Sequence, residues 1–172
     1  HRQPARVAET SLHWGEPVLE STITLIEDGR LWYRGRDVMQ LARERTIDDV
    51  AALLWMDDLD ADVLVPVEMR EAEAGWAQDG LEPIARFASI LQMQSARDFG
   101  VYDLRHERLL VSGAGIVVAF ASAVAGAAWT EGTLAESLAT SLAPDTDGAS
   151  RLLDAALILC ADHELNVSSF TV

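Results

Sequence analysis

Residues 157–172 read LILCADHELNVSSFTV, an apolar run that passes without a break into three adjacent ionisable residues, Asp162, His163 and Glu164. The apolar spacing before them predicts a helix over residues 149–164. Ionisable side chains at the end of a buried helix cost stability unless they are paired, solvated or used in a site. This stretch is therefore the first candidate for a functional site.

His163 and Asn166 are the two candidate ligand-binding residues. Exposed carbonyl groups at the carboxyl end of a helix favour a protonated imidazole, and the neighbouring carboxylates act in the same direction. A cationic histidine suits a small polycarboxylate, whereas a histidine that only caps the helix is the alternative. The amide of Asn166 can bind a carboxylate. Ser168 and Ser169 are expected to cap the next helix.

The composition limits the class of protein. With 172 residues, of which 49% are hydrophobic, the chain can bury the core of one ordinary domain. The net charge of −15 disfavours binding to nucleic acid or to an anionic membrane surface. The single cysteine, Cys160, excludes an internal disulfide and a multi-cysteine zinc site, and we expect it to be an inert core residue. No H-E-x-x-H spacing occurs, so no metal site is predicted.

The periodicity predicts a helical assembly with one small β element. Two β-rich runs flank Asp28-Gly29, which is a strong hairpin signal. Thr46 and Asp49 have the spacing of a capping box at the start of a helix. The other predicted helices cover residues 36–43, 83–96, 109–129, 134–142 and 149–164. No domain boundary is evident, so residues 1–172 are expected to form a single segment.

Two features admit more than one interpretation. Residues 111–129 hold no charged side chain, yet they are rich in small residues and only marginally long enough to span a bilayer, which favours a buried helix. Arg34 and Arg36 flank Gly35 just after the hairpin. They suit either an anion site or a solvated turn, and the turn is the commoner arrangement.

Three blocks of the sequence, in order and in spacing, resemble the citrate synthase family. The first is the hairpin that leads into YRGRD at residues 33–37, similar to the family's Y-R-G-x-[DE] segment. The second is TIDDVAALL at residues 46–54, similar to its [ST]-x-E-E-V-A-x-L-L helix. The third is ADHELNVSS at residues 161–169, similar to its A-D-H-E-x-N-x-S-[ST] motif.

The resemblance implies a mainly α fold, the multi-helical large domain of a citrate synthase with a small β-hairpin near its amino end. It implies a homodimer that condenses oxaloacetate with acetyl-CoA to give citrate and CoA. The single cysteine favours a reducing compartment, so we expect a cytoplasmic location. Acetyl-CoA is a co-substrate, and no further cofactor is implied. His163 matches the family histidine that holds oxaloacetate, and Asn166 lies in the same motif. The family often has a histidine where Cys160 stands.

The resemblance also implies what these 172 residues lack. The family's G-x-x-H-G-G segment, its G-x-G-H-R-x-Y segment and its catalytic aspartate follow the third block, so the catalytic residues are expected downstream of Val172. We therefore predict an amino-terminal part of the large domain that is inactive alone, unless a second polypeptide supplies the rest. The alternatives are a 2-methylcitrate synthase that uses propionyl-CoA and a non-catalytic dicarboxylate-binding or dimerisation module.

Overall fold

The computed structural model describes residues 21–61, 82–97, 100, 102–126 and 132–162. Three short strands and six helices lie within them, so the predicted mainly α fold with a small β element near the amino end is confirmed. The strands are β1 (Thr24–Glu27), β2 (Arg30–Tyr33) and β3 (Arg36–Asp37). The helices are α1 (Val38–Glu44), α2 (Ile47–Met56), α3 (Pro83–Arg97), α4 (His106–Ala125), α5 (Leu134–Leu142) and α6 (Ala149–Leu159).

The predicted hairpin is present and is extended by a third strand. β1 and β2 pair antiparallel around Asp28 and Gly29, whose φ angles of 51° and 72° are those of a two-residue turn of the primed type. Arg34 and Gly35, with φ angles of 45° and 77°, make a second two-residue turn that joins β2 to β3. Sequence reasoning missed β3, because Arg-Gly is a weaker turn signal than Asp-Gly.

Side-chain caps determine where the first two helices begin. The prediction that α1 starts at Arg36 is wrong, because Arg36 pairs in β3 and the Asp37 carboxylate accepts a hydrogen bond from the Gln40 N–H at 3.1 Å. The capping box of α2 is confirmed. The Asp49 N–H donates to the Thr46 hydroxyl at 3.1 Å, and the Thr46 N–H donates to the Asp49 carboxylate at 3.0 Å.

The small-residue helix α4 begins and ends earlier than its sequence pattern indicates. It starts at His106 and stops at Ala125, because Gly126 adopts a left-handed conformation and donates its N–H to the Ser122 carbonyl. By length and composition alone, α4 is long and apolar enough to cross a membrane, but the core helix of a folded domain can have the same length and composition. In this structure 39% of the most apolar 18 residues of α4 are buried. The prediction of a buried helix is therefore confirmed only for the side that packs on α3 and α5.

Three hydrophobic clusters hold the helices together. The first core joins the sheet to α1, α2 and α6 and consists of Tyr33, Val38, Leu41, Ala42, Val50, Leu53, Leu54 and Ile158. A second cluster joins α4 to α5 through Val118, Ala121, Leu134 and Leu138. The α3–α4 core is smaller, with Ile90, Ala119 and Ala123 buried beside a stacked pair of rings, Phe87 and Phe120, whose centroids lie 4.3 Å apart.

Candidate functional site

Tyr33 connects the first sequence block to the third. Its side chain is fully buried in the first core. The hydroxyl lies 2.9 Å from the Asp162 carbonyl oxygen and 3.1 Å from the Ile158 carbonyl oxygen, and it accepts a hydrogen bond from the Asp162 N–H at 3.1 Å. Burial raises the pKa of this phenol above its ordinary value, so it stays a neutral donor. One hydroxyl thus closes the end of α6 and fixes the backbone of the residue before His163.

Thr24 holds the side chain of the same aspartate. Thr24 lies directly opposite Tyr33 in the β1–β2 register, so both side chains leave the sheet on one face. The Thr24 hydroxyl, in a residue that is only 6% exposed, donates to the Asp162 carboxylate. We call Thr24, Tyr33 and Asp162 the Asp162 clamp. It holds one residue of the third block by its N–H, its carbonyl and its carboxylate.

The predicted substrate-binding residues, His163 and Asn166, lie outside the described residues, as do Ser168 and Ser169. The described chain nevertheless corrects the local prediction. α6 ends at Leu159 rather than at Glu164. The N–H groups of Cys160 and Ala161 donate to carbonyls three residues earlier, Leu157 and Ile158, both at 3.2 Å, which is the pattern of a 3₁₀ turn. Cys160 is exposed at this turn, so the prediction of a core cysteine is wrong: the residue follows the helix rather than facing the core.

Arg34 has a structural partner that neither sequence interpretation anticipated. Its guanidinium donates two hydrogen bonds to the Leu54 carbonyl, at 3.1 and 2.8 Å, and lies 3.9 Å from the Asp57 carboxylate. It therefore satisfies the carbonyl end of α2, where a positive charge is stabilised by the helix dipole. Arg36 is exposed in β3. The two arginines do not converge on one anion site in the described structure, because Arg34 is directed to α2.

Charged side chains also join α6 to the helices around it. The Asp154 carboxylate, in a residue that is 3% exposed, accepts the Ile47 N–H at 2.8 Å at the start of α2. Arg151 donates to the carbonyls of Ala42 and Arg45 at the end of α1, at 2.8 and 2.7 Å, and lies 3.5 Å from Asp154. Burial raises the pKa of Asp154, and the positive charge of Arg151 opposes that rise. These contacts hold the helix that leads to the third block.

Asp48 performs a similar task for α5. Its carboxylate accepts the Leu134 N–H at 3.1 Å. Burial raises the pKa of Asp48, and the negative charges of Asp154 and Asp49 raise it further. The first turn of α2 therefore carries carboxylates that bond to helix amino ends, in agreement with the dipole argument that favours acidic residues there.

A cavity of about 230 Å³ lies between α2, α4, α5 and the end of α6, and Ala161, the residue before Asp162, is part of its wall. Its wall is almost wholly apolar, with Asp48 as the ionisable member, and the residues are Ile47, Asp48, Ala51, Leu54, Trp55, Ala114, Val117, Val118, Leu134, Leu157 and Ala161. None of these lining residues is cationic. The cavity therefore suits apolar side chains or an apolar ligand, and it does not by itself suit an anionic dicarboxylate.

The described residues contain no group of three or more histidine, cysteine, aspartate or glutamate side chains that could hold a metal ion. What they do contain is a set of long-range hydrogen bonds that join the sheet, α2 and α6. Asp162, the last described residue, is held where the sheet meets α6.

Sequence reasoning missed most of the residues that make these hydrogen bonds. Thr24 and Tyr33 have the alternation of a β-strand, which says that their side chains share a face but not what that face meets. Asp154 falls inside an apolar helix, and a lone carboxylate there was the available signal for a buried polar contact. The Arg34 contact gave no local signal, since its partner Leu54 lies 20 residues away and bonds through its carbonyl.

The model of the family described as "Citrate synthase, C-terminal domain" matches residues 12–172 of this chain. Among solved structures, the citrate synthase from Pyrobaculum aerophilum is similar with a TM-score of 0.61 and 21% identity, over 92% of this chain and 49% of that one. The citrate synthase from Thermotoga maritima MSB8 is similar with a TM-score of 0.54 and 20% identity, over 91% and 47%. The search of curated proteins found no match.

At such identities the two solved structures show the fold alone, and the chain spans about half the length of each. The family model, by contrast, matches nearly the whole chain. The chain belongs to the citrate synthase family.

Proposed function

We propose that this chain is part of a citrate synthase-like acyltransferase, which condenses oxaloacetate with acetyl-CoA to give citrate and CoA. The observation that carries the proposal is the Asp162 clamp, which ties the hairpin block to the residue before His163 in a member of this family. Because the chain spans about half of its solved relatives, the activity of the whole enzyme is part of the proposal.

In this proposal His163 and Asn166 bind oxaloacetate. A protonated imidazole pairs with a carboxylate of the keto acid, and the amide of Asn166 donates to a second oxygen. The net charge of −15 makes such a local positive group necessary for an anionic substrate. The carboxylate that removes the methyl proton of acetyl-CoA, and the histidines that stabilise the enol and act at the ketone, are proposed to lie outside residues 1–172.

We further propose that the chain forms a homodimer through α3 and α4. Large apolar side chains are exposed on and beside these helices, namely Ile84, Leu91, Leu104, Leu109, Val117 and Val124. Ile84 is 83% exposed and Leu104 is 77% exposed, which is costly for a surface that meets only water. Sedimentation equilibrium should give twice the mass of 18.7 kDa, and Ile84→Glu should return the monomer. A wild-type chain that sediments as a monomer contradicts this part of the proposal.

Oxaloacetate binding is the direct test of the proposed site. Calorimetry on the purified chain should show binding that His163→Ala weakens at least tenfold, because an ion pair and its hydrogen bond are lost. His106→Ala, which alters an exposed histidine at the start of α4, is the matched control and should bind as the wild type does. Equal binding by both variants would contradict the proposed role of His163.

A condensation assay then addresses the reaction and its substrate. Release of free CoA should be absent with the chain alone and appear when the remainder of a citrate synthase is supplied. Comparing acetyl-CoA with propionyl-CoA distinguishes a citrate synthase from a 2-methylcitrate synthase. Oxaloacetate binding without turnover in any combination supports a non-catalytic dicarboxylate-binding module. The cytoplasmic location stays a prediction.

A further inference from the structure

We infer that the apolar cavity between α2, α4, α5 and the end of α6 is a binding site for a small apolar molecule that carries one cationic amine. The amine pairs with the Asp48 carboxylate, and the apolar body of the ligand lies between Ala51 and Leu157. None of the residues proposed to bind oxaloacetate takes part, so this site and the proposed function can fail independently.

One face of α2 supplies both the polar and the aromatic end of the cavity. Asp48, Ala51 and Trp55 follow one another at intervals of three and four residues, which places them on the same side of the helix. Asp48 and Trp55 are two turns apart, about 10.5 Å along the axis at the usual rise per residue. One small ligand can therefore contact the carboxylate at one end and the indole at the other.

The cavity has the size of an aromatic ring with a short side chain. Its volume is about 230 Å³. An apolar protein cavity of about 150 Å³ is large enough to bind benzene, so the additional space admits a short chain with one polar group. The wall that faces α2 is apolar and includes Ala114, Val118, Leu134 and Leu157. Such a wall favours an aromatic or aliphatic body over a polar one.

Asp48 determines which charge the ligand should carry. Its carboxylate accepts the Leu134 N–H at 3.1 Å and has acceptor positions for further donors. Burial raises the pKa of Asp48, since its negative charge is poorly solvated, and a cation beside it would offset that cost. The negative charges of Asp154 and Asp49 act on the same carboxylate and increase the attraction for a cation. Among the described lining residues none is cationic, so no side chain of the wall takes the place of the amine.

A neutral apolar molecule is the competing ligand, and it makes a different prediction. It would gain the same burial of apolar surface, but it would leave the charge of Asp48 without a counter-ion. An anionic ligand would be repelled by the same carboxylate. Three probes of similar shape separate these cases, namely the cation phenethylamine, the neutral phenethyl alcohol and the anion phenylacetate. If an apolar segment of the chain itself fills the cavity, none of the three binds.

Calorimetry on the full chain at neutral pH compares the three probes. We expect phenethylamine to bind at least about tenfold more tightly than phenethyl alcohol, because its hydrogen bond to Asp48 is charge-assisted, and phenylacetate to show no binding. Asp48→Asn keeps an acceptor for the Leu134 N–H and removes the charge, so the affinity for phenethylamine should fall to that for phenethyl alcohol. Asp145→Asn, which removes one negative charge at an exposed position, is the matched control and should bind as the wild type does.

The comparison of the probes decides the inference. Binding of phenethyl alcohol or phenylacetate that equals or exceeds the binding of phenethylamine overturns it, and so does the absence of any binding. An equal loss of phenethylamine affinity in Asp48→Asn and Asp145→Asn would show that the net charge alone attracts the amine, and it would overturn the inference as well.

A second readout tests whether the amine lies in the cavity. Ala51→Leu places a larger apolar side chain between Asp48 and Trp55, so it should weaken phenethylamine binding at least about tenfold by filling the space. In a proton–nitrogen correlation spectrum, the Leu134 amide signal should shift when phenethylamine binds to the wild type. If Ala51→Leu does not fold, Ala51→Met takes its place, because a flexible side chain adapts to irregular gaps. Unchanged binding by the folded variant, or an unmoved Leu134 signal in the wild type, places the amine elsewhere and contradicts the inference.

Discussion

The first core and the α3–α4 core are built in different ways. Around the first core, buried side chains are joined by polar contacts between distant segments, made by Tyr33, Arg34, Arg151 and Asp154. The α3–α4 core has three buried residues, two of them alanines, and its helices are also joined by a hydrogen bond from the Arg86 guanidinium to the Ala123 carbonyl at 2.6 Å. The first core therefore buries more large side chains and joins more segments of the chain than the α3–α4 core does.

Truncating one buried isoleucine in each core tests the comparison between the two cores, and it has the largest expected effect. Ile158 in the first core and Ile90 in the α3–α4 core are 0% and 1% exposed. Ile158→Ala should lower the free energy of unfolding by about 4 kcal/mol, near the upper end of the usual range for a buried isoleucine, and Ile90→Ala by about 2 kcal/mol, near its lower end. The difference is expected because side chains held by hydrogen bonds to other segments move less into the cavity that the substitution leaves. Urea unfolding measures both values.

The order of the two isoleucine effects is the informative result. Should Ile158→Ala fail to fold, Ile158→Val and Ile90→Val provide the same comparison on a smaller scale, on the order of 1 kcal/mol each. A larger loss at Ile90 than at Ile158 would show that α3 and α4 are the firmer part of the chain.

The contact of Arg34 with α2 is the next test. Arg34→Met keeps the length of the side chain and removes both hydrogen bonds to the Leu54 carbonyl, so we expect a loss of about 1.5–3 kcal/mol, as for hydrogen bonds to charged groups. Arg36→Met, at an exposed position two residues away, is the control and should change the free energy of unfolding by less than about 0.5 kcal/mol. Thermal or urea unfolding of both variants measures the two changes in the free energy of unfolding. Equal losses would mean that Arg34 contributes no more than its exposed neighbour.

Two capping boxes allow a comparison of helix starts. Thr46 begins α2 and is part-buried, while Thr133 begins α5 with its capping bonds exposed. Thr46→Ala should cost about 1–2 kcal/mol and Thr133→Ala about 0.5–1 kcal/mol, because an exposed helix end can replace the lost bond with water. Circular dichroism during unfolding measures each change. A larger effect at Thr133 would indicate that α5, not α2, limits stability.

The smallest expected effect concerns the pH dependence due to Asp48. Burial raises its pKa in the folded chain above the ordinary value of 3.8. Its contribution to stability is therefore fully present below pH 3.8 and is lost as the pH rises through the raised pKa. Asp48→Asn can still accept the Leu134 N–H, so this variant should match the wild type at low pH and be the more stable one at neutral pH.

Urea midpoints measured from acid to neutral pH check this sign, with Asp145→Asn at an exposed position as the control. The control should follow the wild-type curve throughout. A variant Asp48→Asn that is less stable than the wild type at neutral pH would show that the carboxylate charge itself stabilises the amino end of α5.

Local sequence patterns predicted the elements better than their ends. The Asp28-Gly29 turn and the Thr46 capping box could be predicted from the sequence, because each depends on two to four adjacent residues. The ends of α4 and α6 were predicted too far along the chain, because the apolar pattern continues past Gly126 and past Leu159 while the hydrogen bonding does not. The motif with His163 and Asn166 was recognisable, but its geometry lies outside the described residues.

Short-range periodicity, turn chemistry and an ordered set of motifs were enough to predict the mainly α fold class, the hairpin, the family and the residues proposed to bind oxaloacetate. The contacts of Thr24 and Tyr33 with Asp162, the bond from Arg34 to the end of α2 and the exposure of Cys160 became visible in the folded chain alone. A buried polar group must find a partner, and the packing of distant segments determines which backbone group is within its reach.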